Sequence, residues 1–145
     1  MEDLTRLRLL GQLKRDEGKS AVMYLDSANI PTLGYGHNLT VPISDAAMEQ
    51  ILSDDLAAAE IDVASLVWPV SLSPARFAVL VAMRFNLGFG GLLGFVNMLA
   101  ALRSGDYETT AREMLDSRWA SQVGARADRL AEQMRRDRWL YEGTA

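Results

Sequence analysis

Apolar residues recur at helical spacing along most of the chain, with one exception near the N-terminus. Leucines stand at every third position from Leu4 to Leu13 among charged residues, and a glycine follows at Gly18. This spacing predicts an amphipathic helix from about Asp3 to Glu17. The stretch from Ala21 to Leu39 loses that period, because Pro31 and polar turn residues separate short apolar runs. It predicts a small antiparallel β-hairpin.

The rest of the chain is predicted to be helical. A long helix begins after the N-cap residue Ser44 and runs to about Leu66. Another begins at Pro74, since proline at the first helical position lacks only an N–H that would be unpaired anyway. It is apolar on almost every side to about Asn86, which predicts a buried central helix. Glycines at 88, 90 and 91 break the chain, and further helices are predicted over about 92–103, 107–115 and 124–136.

These elements indicate an α+β fold whose strands are confined to residues 21–40. The 145 residues, 49% of them hydrophobic, are enough for one core and fit a single domain. The chain has no cysteine and a single histidine, His37, so neither a metal nor another cofactor is expected. No apolar run reaches the ~18 residues of a membrane span, and the charged N-terminus does not resemble a signal peptide. A soluble protein without membrane insertion is therefore expected.

Charge is distributed unevenly along the chain. The net charge is −4, but residues 1–75 sum to −6 and residues 76–145 to +2. The overall sign argues against nucleic acid as a partner. The late arginines alternate with acidic residues, which is typical of a solvated helix face. The imbalance between the two halves is compatible with two solvated faces of different sign, or with two lobes that have a cleft between them.

Two carboxylates flank the start of the predicted hairpin. Glu17 lies four residues after Leu13 on the apolar side of the first helix, where lost hydration favours a protonated carboxyl suited to general acid catalysis. A partly buried glutamate paired with an arginine is the alternative interpretation. Asp26 falls at the following turn, where aspartates usually hydrogen-bond their own backbone. An acid from a helix end and another from a neighbouring hairpin are nevertheless the pair that glycosidic cleavage uses.

Two further polar features lie nearby. Gly34-Tyr35-Gly36-His37 lacks the third glycine of a dinucleotide-binding loop and no parallel strand–helix unit surrounds it, so that interpretation is rejected. Asp55 falls on the apolar stripe of the long helix, and a carboxylate there needs a partner. His37 is the predicted partner, in a structural role.

The order of these residues resembles the phage-type lysozyme (endolysin) family, the T-even phage lysozyme-like glycoside hydrolases. That family's motif is a glutamate, an aspartate nine residues on, a threonine six residues further and then G-x-G-H. Glu17, Asp26 and Thr32 reproduce these spacings, followed by Gly34, Gly36 and His37. The likeness continues through later segments, namely Arg84–Gly88, Gly94-Phe95, Ser117–Trp119 and Gly124–Arg129.

The resemblance implies a lysozyme-like fold in one domain over residues 1–145. It divides into a hairpin lobe at about 18–43, a connecting helix at about 44–66, and a helical lobe at about 67–145 that includes the N-terminal helix. The implied activity is cleavage of the β-1,4 bond between N-acetylmuramic acid and N-acetylglucosamine in peptidoglycan. Glu17 matches the general acid, Asp26 the second catalytic carboxylate and Thr32 the residue that places the water.

The same resemblance implies roles for other residues. Those expected to contact the substrate are Asn38, Phe85, Asn86, Met98 and Glu113. Those expected to support the site are His37, Asp55, Arg126 and Trp119, with Arg126 approaching the acid. Met98 and Glu113 depart from the small or amide residues usual at their places, and Arg84 stands where an uncharged residue is more usual.

The prediction is an inverting N-acetylmuramidase without metal or cofactor. Its expected partner is bacterial peptidoglycan, reached from the host or bacterial cytoplasm through a separate holin-type protein, and a monomer is expected. Two alternatives remain at this point. One is a lytic transglycosylase, which forms 1,6-anhydro sugars without water, and the other is a non-catalytic peptidoglycan-binding protein that keeps a lysozyme fold.

Overall fold

A computed structural model describes residues 3–66 and 68–140 of the chain. The chain divides into two compact units, Met1–Met48 and Glu49–Ala145. The boundary falls inside one long helix. The predicted start of a helical lobe at residue 67 lies outside the described residues.

The first unit consists of a helix followed by a small sheet. Helix α1 spans Asp3–Glu17, as predicted from its leucine spacing. None of its side chains is buried, so the predicted loss of hydration at Glu17 is not observed. The antiparallel sheet has the order β1-β2-β3, with strands Ser20–Leu25, Pro31–Gly34 and His37–Asn38. The two-residue strand β3 extends the predicted hairpin to three strands. Its pairing with β2 places Thr32 opposite Asn38, while Tyr24 of β1 lies on the other side of Thr32.

Helix α2 spans Asp45–Ala64 and contains the boundary between the units. Its start agrees with the prediction, because the Ser44 hydroxyl accepts a hydrogen bond of 3.2 Å from the Ala47 N–H. The helix ends two residues before the predicted Leu66, where Leu66 N–H bonds the Val63 carbonyl in a tighter turn.

Five helices follow α2 in the described part of the second unit. They are α3 Pro74–Leu93, α4 Val96–Arg103, α5 Tyr107–Leu115, α6 Arg118–Val123 and α7 Ala125–Arg136. Helix α5 packs against α4 and α7, and α7 also packs against α3 and α6. The core between them is formed by apolar side chains from all of these helices and the end of α2. Helix α3 supplies the largest share, which confirms the predicted central helix.

Glycine interrupts α3 at one place, not at three. Gly88 has φ 74° and ψ 166°, outside the helical region, and kinks the helix. Gly90 and Gly91 lie inside the helical turn that follows, so the prediction that they also break the chain was wrong. The next predicted helix begins at Val96 rather than Leu92, because the N–H of Gly94 bonds the carbonyls of those two glycines and closes α3 there.

Helix α6 was not predicted. It is only six residues long, too short for a clear apolar period, and it is defined by a cap in which Ser117 Oγ accepts the Ala120 N–H at 3.1 Å.

Both arginines on the apolar helix α3 have partners. Arg76 lies 3.4 Å from the ring centroid of Tyr107 and donates to the Met134 carbonyl at 2.9 Å and to Asp137 at 3.2 Å. Arg84 donates to Asp62 of α2 at 2.7 Å. Among the described residues α3 is also the one helix long and apolar enough to cross a membrane by length and composition, a property that core helices share.

Candidate active site

The Glu17 carboxyl lies against the turn that joins β2 to β3. A Cβ on Gly36 of that turn would stand 3.1 Å from Glu17 Oε2, which is closer than ordinary packing allows. Gly36 also has φ 80°, a left-handed conformation that favours glycine. The glycine therefore provides both the turn geometry and the space that the carboxyl occupies.

Asp26 closes the turn between β1 and β2. Its Oδ1 accepts the N–H of Ala28 at 2.8 Å and the N–H of Ile30 at 2.9 Å. Its own N–H bonds the Ile30 carbonyl at 3.0 Å. This is the backbone-bonding role typical of turn aspartates. These hydrogen bonds occupy only one carboxylate oxygen of Asp26, since Oδ2 accepts no hydrogen bond from the described residues.

Thr32 lies at the centre of the sheet and is 4% exposed, the one buried side chain among residues 3–48. Its hydroxyl donates to the Ile30 carbonyl at 2.8 Å. Asn38, opposite Thr32 on β3, uses its Oδ1 to accept the N–H and the hydroxyl of Thr40. The three predicted catalytic residues thus belong to one unit, at the end of α1, after the end of β1 and on β2.

A pocket of about 480 Å³ in the second unit contains three of the other predicted residues. Met98, 1% exposed, and Trp119, 4% exposed, line it together with Glu113. The Trp119 ring meets Phe95 edge-on at a centroid distance of 6.1 Å, and its Nε1–H donates to Asn86 Oδ1 at 2.9 Å. The structure thus places Met98, Glu113 and Trp119 around one pocket. Asn86 does not line this pocket but is hydrogen-bonded to Trp119, which does.

Five polar residues of this pocket were not predicted as site residues. Asn97 lies on α4, and the other four lie on α6 or just before it, namely Asp116, Ser117, Arg118 and Gln122. The unrecognised helix α6 is the reason for these four, because without it their positions have no assigned face.

A larger and mostly apolar pocket of about 710 Å³ also lies in the second unit. Phe85 and Arg126 line it with Trp139, which was not predicted either. Phe85 and Asn86 are neighbours in sequence, yet only Asn86 contacts a residue of the smaller pocket, through its hydrogen bond with Trp119.

Two predicted pairs join residues of different units and stay predictions. Asp55, on α2, and His37, on β3, are both exposed. The approach of Arg126, in the second unit, to Glu17, in the first, likewise stays a prediction.

Hydrogen bonds shift the pKa values of three groups in the second unit. Hydrogen bonds from Thr109 hold the pKa of Asp106 below its ordinary value, and a hydrogen bond from Arg135 does the same for the pKa of Glu132. Hydrogen bonds to Glu108 and Glu132 raise the pKa of Arg135. Within residues 3–66 and 68–140, no group of three or more acidic or histidine side chains is placed to hold a metal ion.

Comparison with known proteins places the chain in a family. The sequence profile of the phage lysozyme family matches residues 14–138. Over 139 residues the chain is 31% identical to the endolysin of Salmonella phage P22, covering 90% of this chain and 92% of that protein. Over 159 residues it is 30% identical to the pre-baseplate central spike protein Gp5 of Enterobacteria phage T4, covering 89% of this chain but only 28% of that protein. Because the profile covers most of the chain and the endolysin is matched over nearly its whole length, the chain belongs to the phage lysozyme family.

Proposed function

We propose that the chain is an N-acetylmuramidase that hydrolyses the β-1,4 bond between N-acetylmuramic acid and N-acetylglucosamine in bacterial peptidoglycan. The observation that supports this most directly is the placement of the Glu17 carboxyl against the Gly36 turn, in the unit that also holds Asp26 and Thr32. Membership of the phage lysozyme family supports the substrate class.

In the first half of the reaction Glu17 acts as the general acid. Its carboxyl proton passes to the glycosidic oxygen while the bond from that oxygen to the anomeric carbon breaks. The leaving sugar departs with a hydroxyl, and positive charge develops on the ring that remains. Because Gly36 has no side chain, the turn leaves room for the Glu17 carboxyl.

In the second half Asp26 and Thr32 direct the water. Two backbone N–H groups occupy Asp26 Oδ1, so Oδ2 is available to take a proton from water as the water oxygen bonds the anomeric carbon. The Thr32 hydroxyl already donates to the Ile30 carbonyl, so its oxygen accepts the second hydrogen of the same water. Attack on the face opposite the leaving group gives inversion, which requires carboxyl groups about 6.5–9.5 Å apart.

The remaining assignments belong to this proposal. The pocket lined by Met98 and Glu113 has a volume typical of ligand sites, and it is proposed to hold part of the glycan. The whole chain is proposed to act as a single lysozyme-like domain and a monomer. It would be held in the cytoplasm and released to the cell wall through a holin-type protein.

The Asp26→Asn variant separates the chemical role of Asp26 from its role in the turn. Asparagine keeps an oxygen for the Ala28 and Ile30 N–H groups but is a far weaker base than a carboxylate. We expect kcat on purified peptidoglycan to fall by about a hundredfold or more, with an unchanged melting temperature. Full activity of this variant would contradict the assignment of Asp26.

Mass spectrometry of the released muropeptides tests the reaction itself. Hydrolysis adds one water to each cleaved bond, whereas a transglycosylase releases 1,6-anhydro products that are about 18 Da lighter. We expect the heavier products. Because the two anomers have the same mass, NMR of freshly released product, recorded before mutarotation, should show the inverted anomer. Anhydro products would establish a transglycosylase, and glycan binding without any released product would establish a non-catalytic protein.

A further inference from the structure

A second side chain of α1 contacts the turn on which the Glu17 carboxyl lies. Lys14 Nζ is 5.7 Å from the centroid of the Tyr35 ring, within the range of a cation–π interaction. Tyr35 directly precedes Gly36, the residue that faces the Glu17 carboxyl. Lys14 and Glu17 are three residues apart on α1 and share a helix face. The last turn of α1 therefore contacts two adjacent residues of the β2–β3 turn.

Backbone pairing of Leu33 with His37 closes this turn, and its two glycines have no side chain that could anchor it. Gly34 and Gly36 have φ 68° and 80°, and a Cβ on Gly34 would meet no atom within 4 Å. Glycines on both sides give the turn conformational freedom that folding must remove. Tyr35 carries the one side chain between them, and the strand β3 that follows is two residues long.

The contact of Lys14 is not a by-product of a salt bridge. Among the described residues Lys14 makes no ion pair, whereas its neighbour Arg15 pairs with Asp16 at 3.8 Å. The Tyr35 ring is the partner that the structure gives to the Lys14 ammonium group.

We propose that Lys14 and Tyr35 are positioning residues that hold the β2–β3 turn against Glu17, so that the carboxyl keeps the orientation needed for proton transfer. This inference rests on the proposed function, because it assigns the pair to the general acid of that reaction. Neither residue touches the reacting atoms. Their effect is exerted through the Gly36 backbone.

Kinetics of paired variants on a soluble peptidoglycan oligomer test the proposal. We expect Lys14→Met and Tyr35→Leu each to lower kcat about two- to fivefold, the range of an exposed cation–π contact, with KM unchanged. The double variant should be no worse than either single one, because both remove the same contact. Lys14→Arg and Tyr35→Phe keep a cation and a ring, so they should retain wild-type kcat. Lys19→Met is the matched control, since Lys19 is the other lysine of the chain.

Three kinetic outcomes would overturn the inference. A raised KM with unchanged kcat would mean that Tyr35 binds the glycan rather than the turn. Additive effects in the double variant would mean that the two side chains act separately. An equal loss in Lys19→Met would mean that only the overall charge matters.

A readout that needs no activity keeps this test separate from that of the proposed function. The NMR signals of the Gly36 amide and the Glu17 carboxyl carbon should shift in Lys14→Met, which changes no neighbour of Gly36 in sequence, and remain in place in Lys19→Met. Unchanged signals in Lys14→Met would overturn the contact even if the chain hydrolyses peptidoglycan. Shifted signals in a chain that cleaves no glycan would support the contact and reject the hydrolase.

Discussion

The two units of this chain hold their side chains in place by different means. In residues 3–48 the candidate catalytic groups are fixed by turn hydrogen bonds, at Asp26 and Thr32, and by a glycine at positive φ, Gly36. Apart from Thr32, every described side chain that is buried belongs to the second unit. There the helices α3 to α7 share an apolar core.

Ion pairs follow the same division. The first unit has the exposed pair of Arg15 and Asp16. In the described part of the second unit, Arg76, Arg84, Arg135 and Arg136 all pair with carboxylates. The candidate chemistry therefore lies in the unit with less buried structure, as is common for groups that must contact a substrate. Substitutions in the second unit should chiefly change stability, and substitutions in the first should chiefly change activity.

The largest effect on stability is expected at Leu92, and the adjacent Leu93 provides the control. Leu92 is fully buried and Leu93 is 41% exposed. Leu92→Ala should lower the free energy of unfolding by about 2–5 kcal/mol, because it leaves a cavity in the core. Leu93→Ala, the matched control, should cost under about 1 kcal/mol. Urea unfolding followed by tryptophan fluorescence measures this in the second unit, which contains all three tryptophans. Equal losses in the two variants would contradict the location of the core.

Two glycines should respond in opposite directions. Gly36→Ala forces a Cβ towards Glu17 Oε2 at a positive φ, so we expect a cost of about 1–2 kcal/mol and a fall in kcat of about tenfold or more. Gly90 lies within the helical turn that ends α3, and a Cβ there meets no atom within 4 Å. Gly90→Ala should therefore raise stability by up to about 1 kcal/mol and leave kcat unchanged. Thermal unfolding and kinetics of both variants test this difference. A loss of activity in Gly90→Ala would contradict it.

The smallest effect concerns acid stability. The pKa of Glu132 is below its ordinary value of 4.5 because Arg135 hydrogen-bonds the ionised carboxylate. The ionised Glu132 carboxylate therefore stabilises the folded chain fully at pH values above the pKa of Glu132 in the unfolded chain. This stabilisation is lost as the pH falls through the lower pKa of Glu132 in the folded chain. Glu132→Gln should make the melting temperature less dependent on pH below about 5. Glu49→Gln is the control, since Glu49 makes no ion pair with the described residues. An unchanged pH dependence in Glu132→Gln would reject this contribution.

Sequence periodicity predicted the helices where each apolar stripe ends in a clear signal. Helix α1 ends before Gly18, and helix α2 begins after Ser44, whose hydroxyl accepts the Ala47 N–H. Periodicity failed between Gly88 and Gly94, because a glycine can break a helix or lie within one. The choice depends on φ, which the sequence does not specify.

The candidate site was predicted unevenly for a related reason. Glu17, Asp26 and Thr32 follow from the order and spacing of a motif within one unit. By contrast, the pocket residues Asp116 and Arg118 depend on helix α6, whose six residues carry no readable period. Contacts that join residues far apart in the chain, such as the hydrogen bond from Trp119 to Asn86, have no local signal at all.

The proposed reaction depends most on Glu17 as the general acid, and one substitution tests that role directly. Glu17→Gln removes the transferable proton while keeping the shape of the side chain, and Asp16→Asn removes a neighbouring carboxylate as the control. Release of muropeptides from purified peptidoglycan should fall by about a hundredfold or more in Glu17→Gln and stay near the wild-type rate in Asp16→Asn. Both variants should keep the melting temperature of the parent chain. A folded Glu17→Gln variant that releases muropeptides at the wild-type rate would contradict the assignment.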